Sequence, residues 1–138
     1  MKIFFSILLF ALIAIQFVHI NKANPKVRTD LQAPGKIKKI LKESCYDCHS
    51  NETDWPWYSG VAPVSWFITG QVNDGRKRLN FSEWKVRPRS KAKEIKKKIY
   101  DKISKGEMPL QSYIYLHPAS EITFNELQEI KKWAANGR

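Results

Sequence analysis

Apolar residues follow four patterns along the chain. From Ile3 to Ile20 they are nearly continuous, broken only by Ser6, Gln16 and His19. From Asn24 to Pro34 no apolar period exists, and Pro25 and Pro34 mark a tether. From Gly35, Ile37, Ile40, Leu41, Ser44, Cys45 and Cys48 fall on one helical face, with Lys36, Lys38, Lys39, Lys42 and Glu43 on the other. Ser50 to Gly60 reads as a loop carrying Trp55, Trp57 and Tyr58. Exposing these aromatics would be costly, so they are expected to wrap a cofactor or cap the core.

Pro63 suits the first turn of a second helix, through Trp66, Phe67 and Val72 to about Gly75. Arg76, Lys77 and Arg78 follow, where cations favour a helix end. Leu79 to Trp84 is irregular, and Pro88 marks a break. Ser90 is a candidate cap for a third helix over 91–105. Its apolar stripe is Ala92, Ile95, Ile99 and Ile103, and seven lysines cover the remainder. Gly106 ends it. Thr123 and Glu126 form a capping box for a last helix with Phe124, Leu127, Ile130, Trp133 and Ala134 inward and Gly137 as its stop. No segment reads as a strand. The expected fold is all-α, about four helices preceded by an N-terminal apolar helix.

The apolar run follows Lys2, as in a targeting segment. It is long for a signal-peptide core and short for a membrane span. Ala23 is the best cleavage candidate, but Asn21 suits that site poorly. Residues 1–23 are therefore read as a membrane anchor in preference to a removed signal, 24–34 as a linker and 35–138 as one domain. After residue 23 the chain carries 22 basic and 13 acidic residues, a balance of +9. That charge suits anionic lipid or an acidic protein partner, or is a solvated face. Export argues against nucleic acid.

Only two cysteines occur, both in Cys45-Tyr46-Asp47-Cys48-His49. C-x-x-C-H is the attachment signature of a c-type haem. Two thiols bond the two vinyl groups of one haem, and the following His is carried under the iron. A thioredoxin-like pair needs no His and sits in a βαβ context that is not seen here. Zinc needs four ligands, and only His117 offers a fourth. A Cys45–Cys48 disulfide would close a very small loop. Haem attachment occurs outside the bacterial inner membrane, so motif and export agree on a periplasmic protein. His19 lies in the apolar run and is not expected to be a ligand.

Met108, followed by Pro109, lies in a loop 59 residues after His49. Its thioether is the candidate second axial ligand, since His/Met ligation is a known cytochrome arrangement. Its bland alternative is to fill a core gap. His117 is the rival ligand, or a hydrogen-bonding residue. The residues point to one-electron transfer more than to an enzyme. A haem peroxidase or a gas or redox sensor with an open distal position is the alternative, with the Gln71 amide as a hydrogen-bond donor. A module that only docks a partner is a third reading. No constellation of a hydrolase is present.

Helix, C-x-x-C-H, aromatic middle, Met-Pro loop and capped final helix resemble a small monohaem cytochrome c. More closely, the chain resembles the bacterial haem-binding domain family from about residue 34 to 136. The phrases that carry this are Cys45 to Asn51, Pro56-Trp57-Tyr58, Leu79 to Trp84, Gly106 to Leu110, His117 and Trp133, with Ile15-Gln16-Phe17 before them. The resemblance implies haem binding and says little of substrate. It departs at Gln71, where relatives often have His. A distal ligand at that position is closed to this chain, which favours Met108 or His117.

Overall fold

The computed structural model describes residues 1–84 and 89–135, with the side chains of residues 89 and 90 left aside. Seven α-helices and no strand occur among the described residues. They are α1 (Lys2–Ala14), α2 (Gly35–Ser44), α3 (Tyr46–His49), α4 (Val64–Arg78), α5 (Arg89–Ser104), α6 (Gln111–Leu116) and α7 (Phe124–Ala135). Short 3-10 turns follow at Ile15–Phe17, Trp57–Gly60 and Pro118–Ser120.

The all-α expectation holds, with more helices than the four expected in the domain. One expected helix is split. At Cys45 the backbone turns to φ −133°, ψ −32°, so α2 ends and α3 starts as one further turn. The helices α3 and α6, of four and six residues, are too short to show a 3.6-residue period. α4 continues past Gly75 and carries Arg76, Lys77 and Arg78 in its own last turn. α5 begins at Arg89, one residue before the expected cap Ser90, whose side chain lies outside the described residues, as do Pro88 and Gly137.

α1 is shorter than the apolar run that contains it. Helix covers Lys2–Ala14, not the whole run to Ile20, and no described helix is long and apolar enough to cross a membrane. None of its residues is buried.

The core is where α2, α5 and α7 meet. Ile37, Ile40 and Leu41 of α2, Ile99 of α5, and Ile130 and Trp133 of α7 are buried together. Burying such side chains contributes about 1.5–3 kcal/mol each. The predicted inward faces are therefore the ones used, except that Phe124 points to solvent. The Thr123–Glu126 capping box forms, with Thr123 N–H donating to Glu126 at 2.8 Å and Glu126 N–H to Thr123 Oγ1 at 3.3 Å.

Part of the supposed linker belongs to this core. Leu31 is only 1% exposed, and its N–H donates to the Phe81 carbonyl at 3.0 Å. Thr29 and Glu83 form an isolated parallel bridge. Lys38, expected on the solvated face of α2, instead donates to Asp30, to the Tyr46 hydroxyl and to the Leu31 carbonyl. Lys96, one of the six lysines of α5, is also buried, with its ammonium 4.8 Å from the centre of the Trp133 ring.

Candidate functional site

The C-x-x-C-H turn is held from both sides. His49 N–H donates to the Cys45 carbonyl at 2.9 Å, closing the turn. Tyr46 points inward, stacked on Phe81 with ring centres 5.1 Å apart. Its hydroxyl donates to Asp30 at 2.7 Å. Asp47 points the other way and accepts from the Asp54 N–H at 3.0 Å and the Tyr113 hydroxyl at 2.6 Å. The two residues between the cysteines thus lock the turn to the core and to α6.

The cysteines and His49 are half-buried against α4. His49 Nδ1 lies 3.0 Å from the Gly75 carbonyl and 3.1 Å from that of Leu79. A carbonyl only accepts, so Nδ1 carries the proton and Nε2 keeps its lone pair. Burial pushes the His49 pKa down, which keeps the ring neutral. Burial also raises the Cys45 thiol to about 12 and Cys48 to about 11, so both are uncharged. Two free thiols and a neutral imidazole with an available Nε2 are the donor set a c-type attachment uses.

This turn forms one wall of a cleft of about 660 Å³. Cys45, Cys48, His49 and Met108 all line it. Its apolar lining includes Leu79, Ile99 and Ile103, and its cations are Arg78, Lys98 and Lys102. A planar apolar group with two carboxylates fits that lining: the apolar residues take the ring and the cations can meet the carboxylates. Among the described residues no group of three His, Cys, Asp or Glu could hold a metal ion, so the zinc alternative finds no ligand set there.

The model of the haem-binding domain family matches residues 10–136. The chain belongs to the haem-binding domain family. Neither the curated proteins nor the solved structures gave a match.

The haem-binding domain brings together most, not all, of the residues its sequence points to. Gln71 lines the cleft beside Cys48 and His49. His117 does not. Its Nε2 is 3.1 Å from the Tyr58 hydroxyl, its Nδ1 is 3.2 Å from the Tyr113 carbonyl, and its ring stacks on Tyr113 at 4.3 Å. Tyr113 is itself part of the cleft wall, so His117 sits one ring behind that wall. Trp55, Trp57 and Tyr58 are not in the lining; Trp55 and Tyr58 are half-buried, whereas Trp57 is 84% exposed, contrary to the expectation that it wraps the cofactor or caps the core. The 3-10 turn Trp57–Gly60 packs against α4.

Three residues of the site escape sequence reasoning. Gly75 reads as a helix stop, yet it is a packing point: a Cβ there would lie 2.4 Å from the Cys48 carbonyl oxygen. Leu79 holds the His49 ring through its backbone carbonyl, which no side-chain pattern reveals. Tyr113 sits in a six-residue helix too short to show a period, and no sequence pattern singles it out.

Proposed function

We propose that the chain holds one haem c through thioethers at Cys45 and Cys48, with His49 and Met108 as axial ligands, and transfers single electrons on the outer side of the cytoplasmic membrane. The observation that carries this is the fixing of His49. Nδ1 is held by two carbonyls, and Nε2 is left to ligate in a cleft that also contains both thiols and Met108. Bound haem supplies a one-electron iron couple. Everything else is supplied by the chain: His49 stays neutral and oriented, the apolar lining excludes water, and Met108 offers a soft thioether. The cations Arg78, Lys98 and Lys102 stabilise negative charge at the cleft and can guide an acidic redox partner. The run to Ile20 associates the chain with the membrane through α1, which suits export and covalent attachment.

A second reading is favoured by one observation. Gln71 lines the same cleft, where its amide can donate to a small ligand on the iron. With Met108 away from the iron, the site would then serve as a peroxidase or a sensor.

The test is the matured protein's spectrum. Haem that resists acid–acetone extraction and gives a two-thioether pyridine haemochrome is expected, and Cys45→Ser with Cys48→Ser removes it. Extractable haem would reject covalent attachment. A high-spin ferric spectrum with fast ferrous CO binding would replace the electron carrier with the second reading.

A further inference from the structure

The base of α1 is not free of the domain. The Gln16 amide grips Ala62 at two points, accepting from its N–H at 3.0 Å and donating to its carbonyl at 3.1 Å. Arg76 grips the chain a little further on, at the Ala23 carbonyl (3.1 Å) and the Asn24 side chain (2.7 Å). The same guanidinium reaches the Ser50 carbonyl at 2.8 Å. The direction in which α1 leaves the domain is therefore set by named bonds.

On either side of Ala62 along the chain lie apolar side chains that the fold does not cover. Trp57, Val61, Val64 and Phe67 are all exposed, Trp57 to 84% and Phe67 to 58%. Val64 and Phe67 are three residues apart in the first turn of α4, and Val61 lies just before it, its carbonyl accepting from the Ser65 N–H at 2.8 Å. A cation stands at the edge of this patch: a Cβ at Gly60 would lie 3.6 Å from Lys22 Nζ. Apolar side chains, an exposed Trp and a rim Lys are the composition of a membrane-interface surface.

We infer that this patch rests in the headgroup–acyl boundary of a phospholipid bilayer, beside the point where α1 enters it. The inference rests on the membrane reading of α1 and not on the haem. After Lys2, α1 has one polar residue, Ser6, whose hydroxyl donates to the Lys2 carbonyl, so lipid can cover every face. Its 13 residues reach about 20 Å, less than the roughly 30 Å hydrocarbon core. Immersing it brings Gln16 to the lipid boundary, and the grip on Ala62 brings the patch with it. Two contacts then fix the domain's tilt. Val64 begins α4 at the lipid and Gly75 meets the C-x-x-C-H turn about 16 Å further along the helix. The cleft is thus held off the bilayer, open to a partner in the aqueous phase.

The full-length, haem-loaded protein in vesicles of equimolar phosphatidylcholine and phosphatidylglycerol tests this, using a phospholipid with a diazirine near the headgroup. Peptide mass spectrometry should find lipid adducts in residues 57–67 as well as 3–17. Gln16→Ala should lower the 57–67 adducts several-fold while those on α1 remain. Trp57→Asp with Phe67→Asp should do the same. Adducts confined to 3–17 in the parent overturn the inference. So does cross-linking of 57–67 to a second chain in place of lipid. Absence of adducts everywhere overturns it together with the membrane reading, and leaves the haem spectrum, read on the same sample, to judge the electron-transfer reading separately.

Discussion

His49 Nδ1 sits 3.0 Å from the carbonyl oxygen of Gly75, at the one point of α4 where a side chain would strike the C-x-x-C-H turn. The absence of a Cβ and the orientation of the imidazole are one device. α4 can press on Cys48 only because residue 75 is glycine, and only at that distance does its backbone hold the ring. Gly75→Ala would gain helix propensity, worth about 1 kcal/mol in a free helix. Here its Cβ would meet backbone atoms of Cys48, which cannot swing aside. Overpacking of that kind costs typically about 1–3 kcal/mol, so the variant should melt earlier. It should also lose haem during maturation, since His49 is pushed off its acceptors. Thermal unfolding and haem-to-protein absorbance ratio check both, and an unchanged ratio would mean that His49 is oriented by other means.

Asp30 ties the segment before α2 to the motif, through Lys38 and the Tyr46 hydroxyl. Burial raises its pKa, but the hydrogen bonds and charge of Lys38 and the bond from Tyr46 outweigh this and leave it lowered. The unfolded carboxyl titrates near 3.8. A depressed native pKa means that the unfolded state binds the proton first, so this contribution is complete above the unfolded value and is lost as pH falls through the native one. Asp30→Asn should lower stability at neutral pH by about 1–3 kcal/mol. It should also flatten the loss of stability below about pH 4. Urea titrations of parent and variant at several acid pH values measure this. Parallel curves would remove Asp30 from the acid response.

What could be read from the sequence was what depends on neighbours in the chain. α2, α5 and α7 announce themselves by apolar spacing at Ile37/Ile40/Leu41, Ile95/Ile99/Ile103 and Ile130/Trp133/Ala134, α7 also by the Thr123 cap, and α4 by Pro63 ahead of it. C-x-x-C-H is a local signature in the same sense. Contacts between distant segments were not legible. Leu31 looks like one apolar residue in a tether, and its burial depends on pairing with residues 81–84. Lys96 is one lysine among seven, and only the ring of Trp133 across from α5 explains why it is inside. Trp57 was expected inward because exposing an indole costs free energy. That cost is real in water, yet the residue stands outward.

The lysines of α5 separate into two functions that a charge count cannot distinguish. Lys96 packs on Trp133, so charge reversal there should destabilise the fold and is a poor probe of docking. Lys98 and Lys102 line the cleft, paired at its edge with Glu94 and Glu107. Lys98→Glu with Lys102→Glu should slow electron exchange with an acidic partner at low ionic strength, and the gap from the parent should close as salt rises. Stopped-flow rates across a salt series read this. Equal rates at low salt would leave these lysines as a solvated face.

Tyr113 joins α6 to the motif through its 2.6 Å bond to Asp47 while its ring forms part of the cleft wall. Tyr113→Phe keeps the wall and removes the bond. Hydrogen bonds to a charged group contribute about 1.5–3 kcal/mol, and partial exposure here places the expected loss at the lower end. The haem spectrum should stay unchanged while the melting temperature falls. A shifted spectrum with unchanged stability would assign Tyr113 to the iron's surroundings instead.

Met108 and His117 were rival axial ligands on sequence grounds, and the fold gives them different neighbours. Met108 shares the cleft with His49. His117 is stacked on the far side of Tyr113, with both ring nitrogens near polar partners at Tyr58 and Tyr113. To ligate, His117 would have to give up that stacking and pass Tyr113, whereas Met108 is already in the cleft. A thioether favours ferrous iron relative to a second imidazole, so its removal should lower the reduction potential. The parent should therefore show a weak sulfur-to-iron charge-transfer band in its ferric spectrum. Met108→Ala should lose that band, bind CO readily and shift to a lower potential. His117→Ala should keep the band and the potential, and lose stability of the α6 region. Loss of six-coordination in His117→Ala alone would reverse the assignment and require α6 to rearrange around the cofactor. High-spin iron in the parent would dismiss both ligands and leave Gln71 facing an open coordination position, the arrangement a peroxidase or a sensor needs.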